Sequence, residues 1–187
     1  MSQKFFSKPI TSETMRFPQV IESHGLVYSD NFKTIERITA KFDKFTKEYF
    51  VSDFGEKSAV LVVYDNHVLL VRQYRLLINR LSYEVPGGKV GKDEGPEDSA
   101  IRECFEETGV KINTLKPLIE FDPDLEYTKN HTYVYITTDI KNNNSNKNNS
   151  HQWVHINDCL KMIQNGVITD SLSIIALMTY QIKIDNR

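Results

Sequence analysis

Residues 59–64 (AVLVVY) form an uninterrupted apolar run, and after Asp65-Asn66 a second run returns over residues 67–75 (HVLLVRQYR). A strand with one wet face alternates apolar and polar residues. One that does not alternate must be buried on both faces. Asp65 and Asn66 suit a tight turn, so the segment predicts a β-hairpin. A hairpin buried in this way needs further strands and helices packed over it.

The rest of the chain supplies them. Residues 26–28, 32–41 and 47–51 read as short strands joined by polar turns, and residues 1–22, with Pro9 and Pro18 as breakers, read as an arm. Residues 81–85 form a further strand, stopped by Pro86-Gly87-Gly88. A helix opens at Pro96-Glu97-Asp98, where proline suits the first turn and acids complement the helix dipole, and it closes at Gly109. Ala100, Ile101, Cys104, Phe105 and Thr108 share one face at helical spacing and are expected to pack on the core. Strands follow at 118–121 and 132–138, then a short helix over 157–165. Asp170 caps a last helix, residues 171–183, with Leu172, Ile175, Leu177 and Met178 mostly inward. The asparagine-rich stretch 141–150 (KNNNSNKNNS) cannot bury a face and reads as a loop insertion. The class is α+β, one mixed sheet with helices on it.

With 23 basic and 25 acidic residues among 187, the chain offers no field for nucleic acid or an anionic membrane. No segment approaches the ~20 apolar residues of a membrane span, and residues 1–10 lack the apolar core of a secretory signal. Cys104 and Cys159 form no framework, so a reduced, cytoplasmic protein is expected.

The chemistry concentrates in residues 88–110, GKVGKDEGPEDSAIRECFEETGV. Glu103, Glu106 and Glu107 stand three and four residues apart, on one helix face, with no lysine there to neutralise them. A divalent cation would join them, and oxygen ligands of this kind suit Mg²⁺ or Mn²⁺. The whole stretch reads G-x5-E-x7-R-E-U-x-E-E-x-G-U, where U is apolar. Gly88, Glu94, Arg102, Glu103, Cys104, Glu106, Glu107, Gly109 and Val110 fill its positions. A chance match is on the order of 10⁻⁷.

This pattern resembles the Nudix box, the signature of the Nudix hydrolases. The resemblance implies a Nudix fold, an α/β/α sandwich with a mixed sheet and an N-terminal β arm. It also implies hydrolysis of a pyrophosphate linked to a nucleoside or other group, with bound Mg²⁺ or Mn²⁺. Carried onto this sequence, it makes Glu103, Glu106 and Glu107 catalytic and metal ligands, with the Gly87 carbonyl a further ligand. Gly88, Glu94, Arg102 and Gly109 become structural, Arg102 pairing with Glu94. Which glutamate acts as base is left open.

Residues 71–75 (VRQYR) before the Tyr-Glu-Val-Pro-Gly-Gly segment are similar to the ADP-ribose pyrophosphatase branch. There, Arg75 would contact the pyrophosphate and Glu84 would border the metal site. The branch further implies residues 1–52 as an arm crossing to a second subunit in a homodimer, and residues 53–187 as the hydrolase domain. The expected substrate is ADP-ribose or a similar nucleotide sugar, with no nucleic acid or membrane partner. A house-cleaning nucleoside triphosphate pyrophosphatase and a non-catalytic nucleotide sensor stay open as alternatives.

Overall fold

The computed structural model describes residues 17–142 and 151–185, and the chain divides into two compact units, up to Asp53 and from Phe54. In the first, β1 (Val20–Ser29), β2 (Thr34–Lys41) and β3 (Thr46–Asp53) form an antiparallel meander in the order β1-β2-β3. β1 begins at Val20, so residues 20–22 are strand rather than arm. Its residues are almost all exposed, apolar ones included, Ile21 at 66%.

The second unit runs β4 (Lys57–Tyr64), β5 (His67–Arg75), β6 (Arg80–Glu84), β7 (Gly87–Lys89), α1 (Pro96–Thr108), β8 (Lys111–Ile112) and β9 (Lys116–Phe121). It continues with β10 (Thr128–Lys129), β11 (Thr132–Thr137), β12 (Ile140–Asn142), β13 (His151–His155), α2 (Ile156–Gln164) and α3 (Ser171–Asp185). The asparagine-rich insertion lies mostly outside the described residues.

Its main sheet has the strand order β13-β5-β4-β11-β9, with β6 paired to β5 and β7 paired to β4. β4 and β11 run parallel and the other pairs are antiparallel, which makes the sheet mixed. A small β8–β12 pair stands apart from it, so the expectation of one sheet is corrected to a main sheet, this pair and the separate meander.

The apolar run of β4 explains the layers. Ala59, Leu61 and Val63 join Val68, Leu70, Cys159, Ala176 and Leu177 in a core under α2 and α3. Val60 and Val62 point the other way, to Leu69, Ala100, Cys104 and Val110 under α1. The two-residue pleat thus sends alternate apolar side chains into two cores, and the result is an α/β/α sandwich. Asp65 and Asn66 carry the β4–β5 turn with φ of 47° and 58°, a backbone that these two residue types tolerate.

Two apolar positions are corrected. Phe105 is 46% exposed, with Lys111 Nζ 5.4 Å from its ring centroid, and Met178 is 43% exposed. Each stands one residue, about 100° round the helix, beyond a buried position, Cys104 on α1 and Leu177 on α3.

Candidate active site

The box folds as strand, loop and helix. β7 carries Gly87 and Gly88 against β4, residues 90–95 form the loop, and α1 begins with Pro96 in its first turn and Glu97 and Asp98 at its positive end. Gly109, at φ 73°, ends the helix, its N–H reaching the Phe105 carbonyl at 2.8 Å.

Arg102 holds the loop to the helix. Its Nε donates to Glu94 Oε2 at 3.0 Å and its Nη2 to Glu94 Oε1 at 2.6 Å, a bidentate pair. Glu94 in turn accepts from the Gly91 N–H at 2.7 Å. Arg102, and then the Gly91 N–H, bring the Glu94 carboxyl down to about 2.

The same guanidinium corrects the reading of an uncompensated glutamate face. Arg102 Nη1 also reaches Glu103 Oε1 at 2.8 Å and Glu106 Oε2 at 3.1 Å. Arginine reaches across a helical turn, so a face without lysine is still paired.

The three glutamates therefore differ. The Glu103 side chain is 17% exposed and lies against Gly88, whereas Glu106 is 57% exposed. Glu107 is half-buried and turned to the sheet. Its Oε2 accepts from the Gly87 N–H at 3.0 Å, and its Oε1 accepts from Gln73 Nε2 of β5. Burial pushes the Glu107 carboxyl up. The Gly87 and Gln73 hydrogen bonds oppose this, and the charges of Glu103 and Glu84 add to it, leaving it above the ordinary value.

Arg75 and Glu84 stand together at the ends of β5 and β6. Arg75 Nε donates to Glu84 Oε1 at 2.7 Å, and its Nη2 donates to Oε2. Burial pushes the Glu84 carboxyl up, but Arg75 and a Ser82 hydrogen bond outweigh it and hold it below the usual range. Both residues line a cleft of about 150 Å³ with Gly87 and Gly88, and with Lys57, Asn130 and Asp170, which sequence reasoning did not select. Asp170 caps α3 by accepting from the Ser173 N–H and hydroxyl at 2.8 and 2.6 Å, and Ser173 Oγ takes the Val85 N–H at 2.9 Å. The cap of α3 is thereby tied to the strand that carries Glu84. Lys57, Asn130 and Asp170 are far apart in sequence; local pattern marked Asp170 only as the cap of α3 and did not mark the other two. Gln73 had a signal: it is two residues from Arg75, on the same side of β5 by the strand's period.

Several other polar side chains have local roles. His155 accepts from the Asn157 N–H at the start of α2, Asp124 caps a turn through the Glu126 and Tyr127 N–H groups, and Asp122 pairs with His131 at 2.9 Å.

Among the described residues no three His, Cys, Asp or Glu side chains stand close enough to hold an ion. The carboxylates are turned to Arg102, Gln73 and the Gly87 N–H instead. The donor set still fits a hard divalent cation: every group is an oxygen, with no thiolate or imidazole, and Glu107 carries like-charge repulsion that a cation would relieve.

The sequence matches the NUDIX domain family over residues 56–170. It is 26% identical over 144 residues to the methanol dehydrogenase activator of Bacillus methanolicus, covering 74% of this chain and 78% of that one. It is 23% identical over 155 residues to the ADP-ribose pyrophosphatase of Bacillus subtilis (strain 168), covering 80% and 84%. The crystal structure of an ADP compounds hydrolase superposes with a TM-score of 0.72 at 17% identity, over 96% of this chain and 98% of that one, a likeness of fold. With this match and this fold, the chain belongs to the Nudix family of hydrolases.

Proposed function

We propose that the protein cleaves the pyrophosphate link of a nucleotide sugar such as ADP-ribose into a mononucleotide and a sugar phosphate, with Mg²⁺ or Mn²⁺ as cofactor. The observation that carries this is the unbroken box, Gly88 to Val110, set beside a cleft containing Arg75 and Glu84. Similarity to an ADP-ribose pyrophosphatase supports the substrate class.

Glu103, Glu106, Glu107 and the Gly87 carbonyl are the groups that would hold the cation. When bound, it offsets phosphate charge and lowers the pKa of water. The chain's own residues supply the rest. Arg75 commits two N–H groups to Glu84, and three of its five donors are left for the pyrophosphate oxygens. Glu84 fixes the plane of that guanidinium. The water oxygen forms a bond to one phosphorus, the bridging P–O bond breaks, and the bridging oxygen leaves with the other phosphate while the water gives up its protons. A carboxylate of α1 is the acceptor for the first of these protons.

A homodimer built through residues 1–52, the expected N-terminal arm and short strands, is part of the same reading. The exposed Val20, Ile21, Leu26 and Val27 of β1 support it, because an apolar strand left in water favours a partner. Light scattering that gives a monomer at micromolar concentration would overturn it. The cytoplasm is the proposed location. Among the described residues no helix is long and apolar enough to cross a membrane.

The decisive experiment is a hydrolysis panel in Mg²⁺ and Mn²⁺, covering ADP-ribose, other nucleotide sugars, dinucleoside polyphosphates and nucleoside triphosphates, with products separated by chromatography. Mononucleotide plus sugar phosphate is the expected outcome. Pyrophosphate released from triphosphates, or no turnover of any compound, would overturn it.

A further inference from the structure

Glu107 is the one glutamate of the three whose carboxylate is bonded to the sheet, and Gln73 makes one of those bonds. β5 is anchored by Leu69, which packs with Ala100 and Cys104 of α1 in the α1-side core. By the two-residue period, Leu69, Val71, Gln73 and Arg75 share one side of the strand. Gln73 thus lies between the apolar contact that docks α1 and the arginine that enters the cleft. On α1, Cys104 and Glu107 are three residues apart, the spacing of neighbours on one face. Core packing at one level and the Gln73–Glu107 hydrogen bond at the next therefore belong to one strand–helix interface.

The direction of the bond is dictated by charge. A carboxylate only accepts, so the Gln73 amide must present its Nε2 to Glu107, and turning the amide over would set two oxygens against each other. With the Gly87 N–H on the second oxygen, both ends of the carboxylate are held. Rotation about the last side-chain bond would break both contacts. Glu103 and Glu106 instead share one guanidinium, that of Arg102 on their own helix, which is also paired with Glu94.

We propose that Gln73 is the positioning residue for Glu107, fixing the orientation in which that carboxylate meets the divalent cation. The inference rests on the proposed function, in which Glu107 is a ligand. Groups that orient metal ligands from outside the ligand set typically contribute 10- to 100-fold to metal affinity or activity.

The test is Mn²⁺ binding to the full-length protein, followed by the loss of the free-ion paramagnetic resonance signal, for wild type, Gln73→Leu, Glu107→Gln and the double variant. Leucine keeps much of the volume and removes the donor. Gln73→Leu is expected to weaken Mn²⁺ roughly 10-fold, with the metal-free Tm within about 3 °C of wild type, and to cost nothing further in the Glu107→Gln background. A structural role would give the same loss in both backgrounds. That result, or unchanged Mn²⁺ affinity in Gln73→Leu, would overturn the proposal. Should the leucine variant fail to fold, Gln73→Asn, which keeps the amide one methylene short, is judged by the same comparison. Wild-type protein that bound no Mn²⁺, or a Glu107→Gln variant with wild-type affinity, would instead refute the assignment of Glu107 on which the inference stands.

Discussion

Gly87 and Gly88 are adjacent in sequence, yet replacing each with alanine should produce opposite defects. A Cβ on Gly87 would lie 2.6 Å from the Ala59 Cβ, 2.6 Å from the Ser58 carbonyl oxygen and 2.8 Å from the Ala59 Cα. Ordinary contact begins near 3.4 Å, so the overlap approaches 1 Å, and most of what it meets is the backbone of a central strand. Neither Ser58 nor Ala59 has room to withdraw, since both are fully buried. Overpacking of this kind costs about 1–3 kcal/mol, and the upper end applies because β4 cannot shift without disturbing both cores. At roughly 2–4 °C per kcal/mol, Gly87→Ala should lower Tm by about 6–12 °C. A Cβ on Gly88 would lie even closer to its neighbour, 2.3 Å from the Glu103 Cδ and 2.4 Å from its Oε1. That obstacle, however, is the end of a flexible side chain. Glu103 swings away at the cost of its contact with Arg102, an ion pair with Arg102 36% exposed, worth up to about 1 kcal/mol. Gly88→Ala should therefore shift Tm by no more than about 4 °C, while kcat falls at least about 10-fold because Glu103 is displaced. Scanning fluorimetry and steady-state kinetics on the two variants suffice. A Gly88→Ala protein as unstable as Gly87→Ala, or a Gly87→Ala protein with wild-type Tm, would refute the reasoning.

Glu107→Gln should lower kcat at least ~10²-fold with the Tm nearly unchanged, and near-normal turnover would remove Glu107 from the metal site. Glu94 titrates at about 2 in the folded protein against 4.5 as its ordinary value. Its pairing thus stabilises the fold fully above pH 4.5, and this contribution disappears as pH falls towards 2. Acid-unfolding curves should accordingly be flatter across that window in Glu94→Gln, and identical slopes would contradict the pairing. Burial pushes the thiols of Cys104 and Cys159 up to about 12, so both should resist a disulfide reagent at pH 8 until the protein is denatured. Rapid labelling of the native state would show that either core opens.

The sequence by itself determined whatever depends on local pattern. The apolar run of residues 59–64 required a strand covered on both faces, Asp65-Asn66 marked a tight turn, and Pro96 and Gly109 bounded α1. The box identified the family, because nine positions within one strand, loop and helix are fixed relative to one another by short-range geometry. Only the tertiary structure decided how the three glutamates differ. Helical spacing places Glu103, Glu106 and Glu107 on one face, but their environments come from Gly88, Arg102 and the remote Gln73. The second role of Arg102 depended on side-chain reach rather than spacing. The cleft likewise gathers Lys57, Arg75, Asn130 and Asp170 from four separate segments. A one-dimensional pattern records which residues neighbour each other along a helix or strand. Burial and cross-element hydrogen bonds exist only once the β4–β11 pairing and the docking of α1 bring distant segments within a few ångströms.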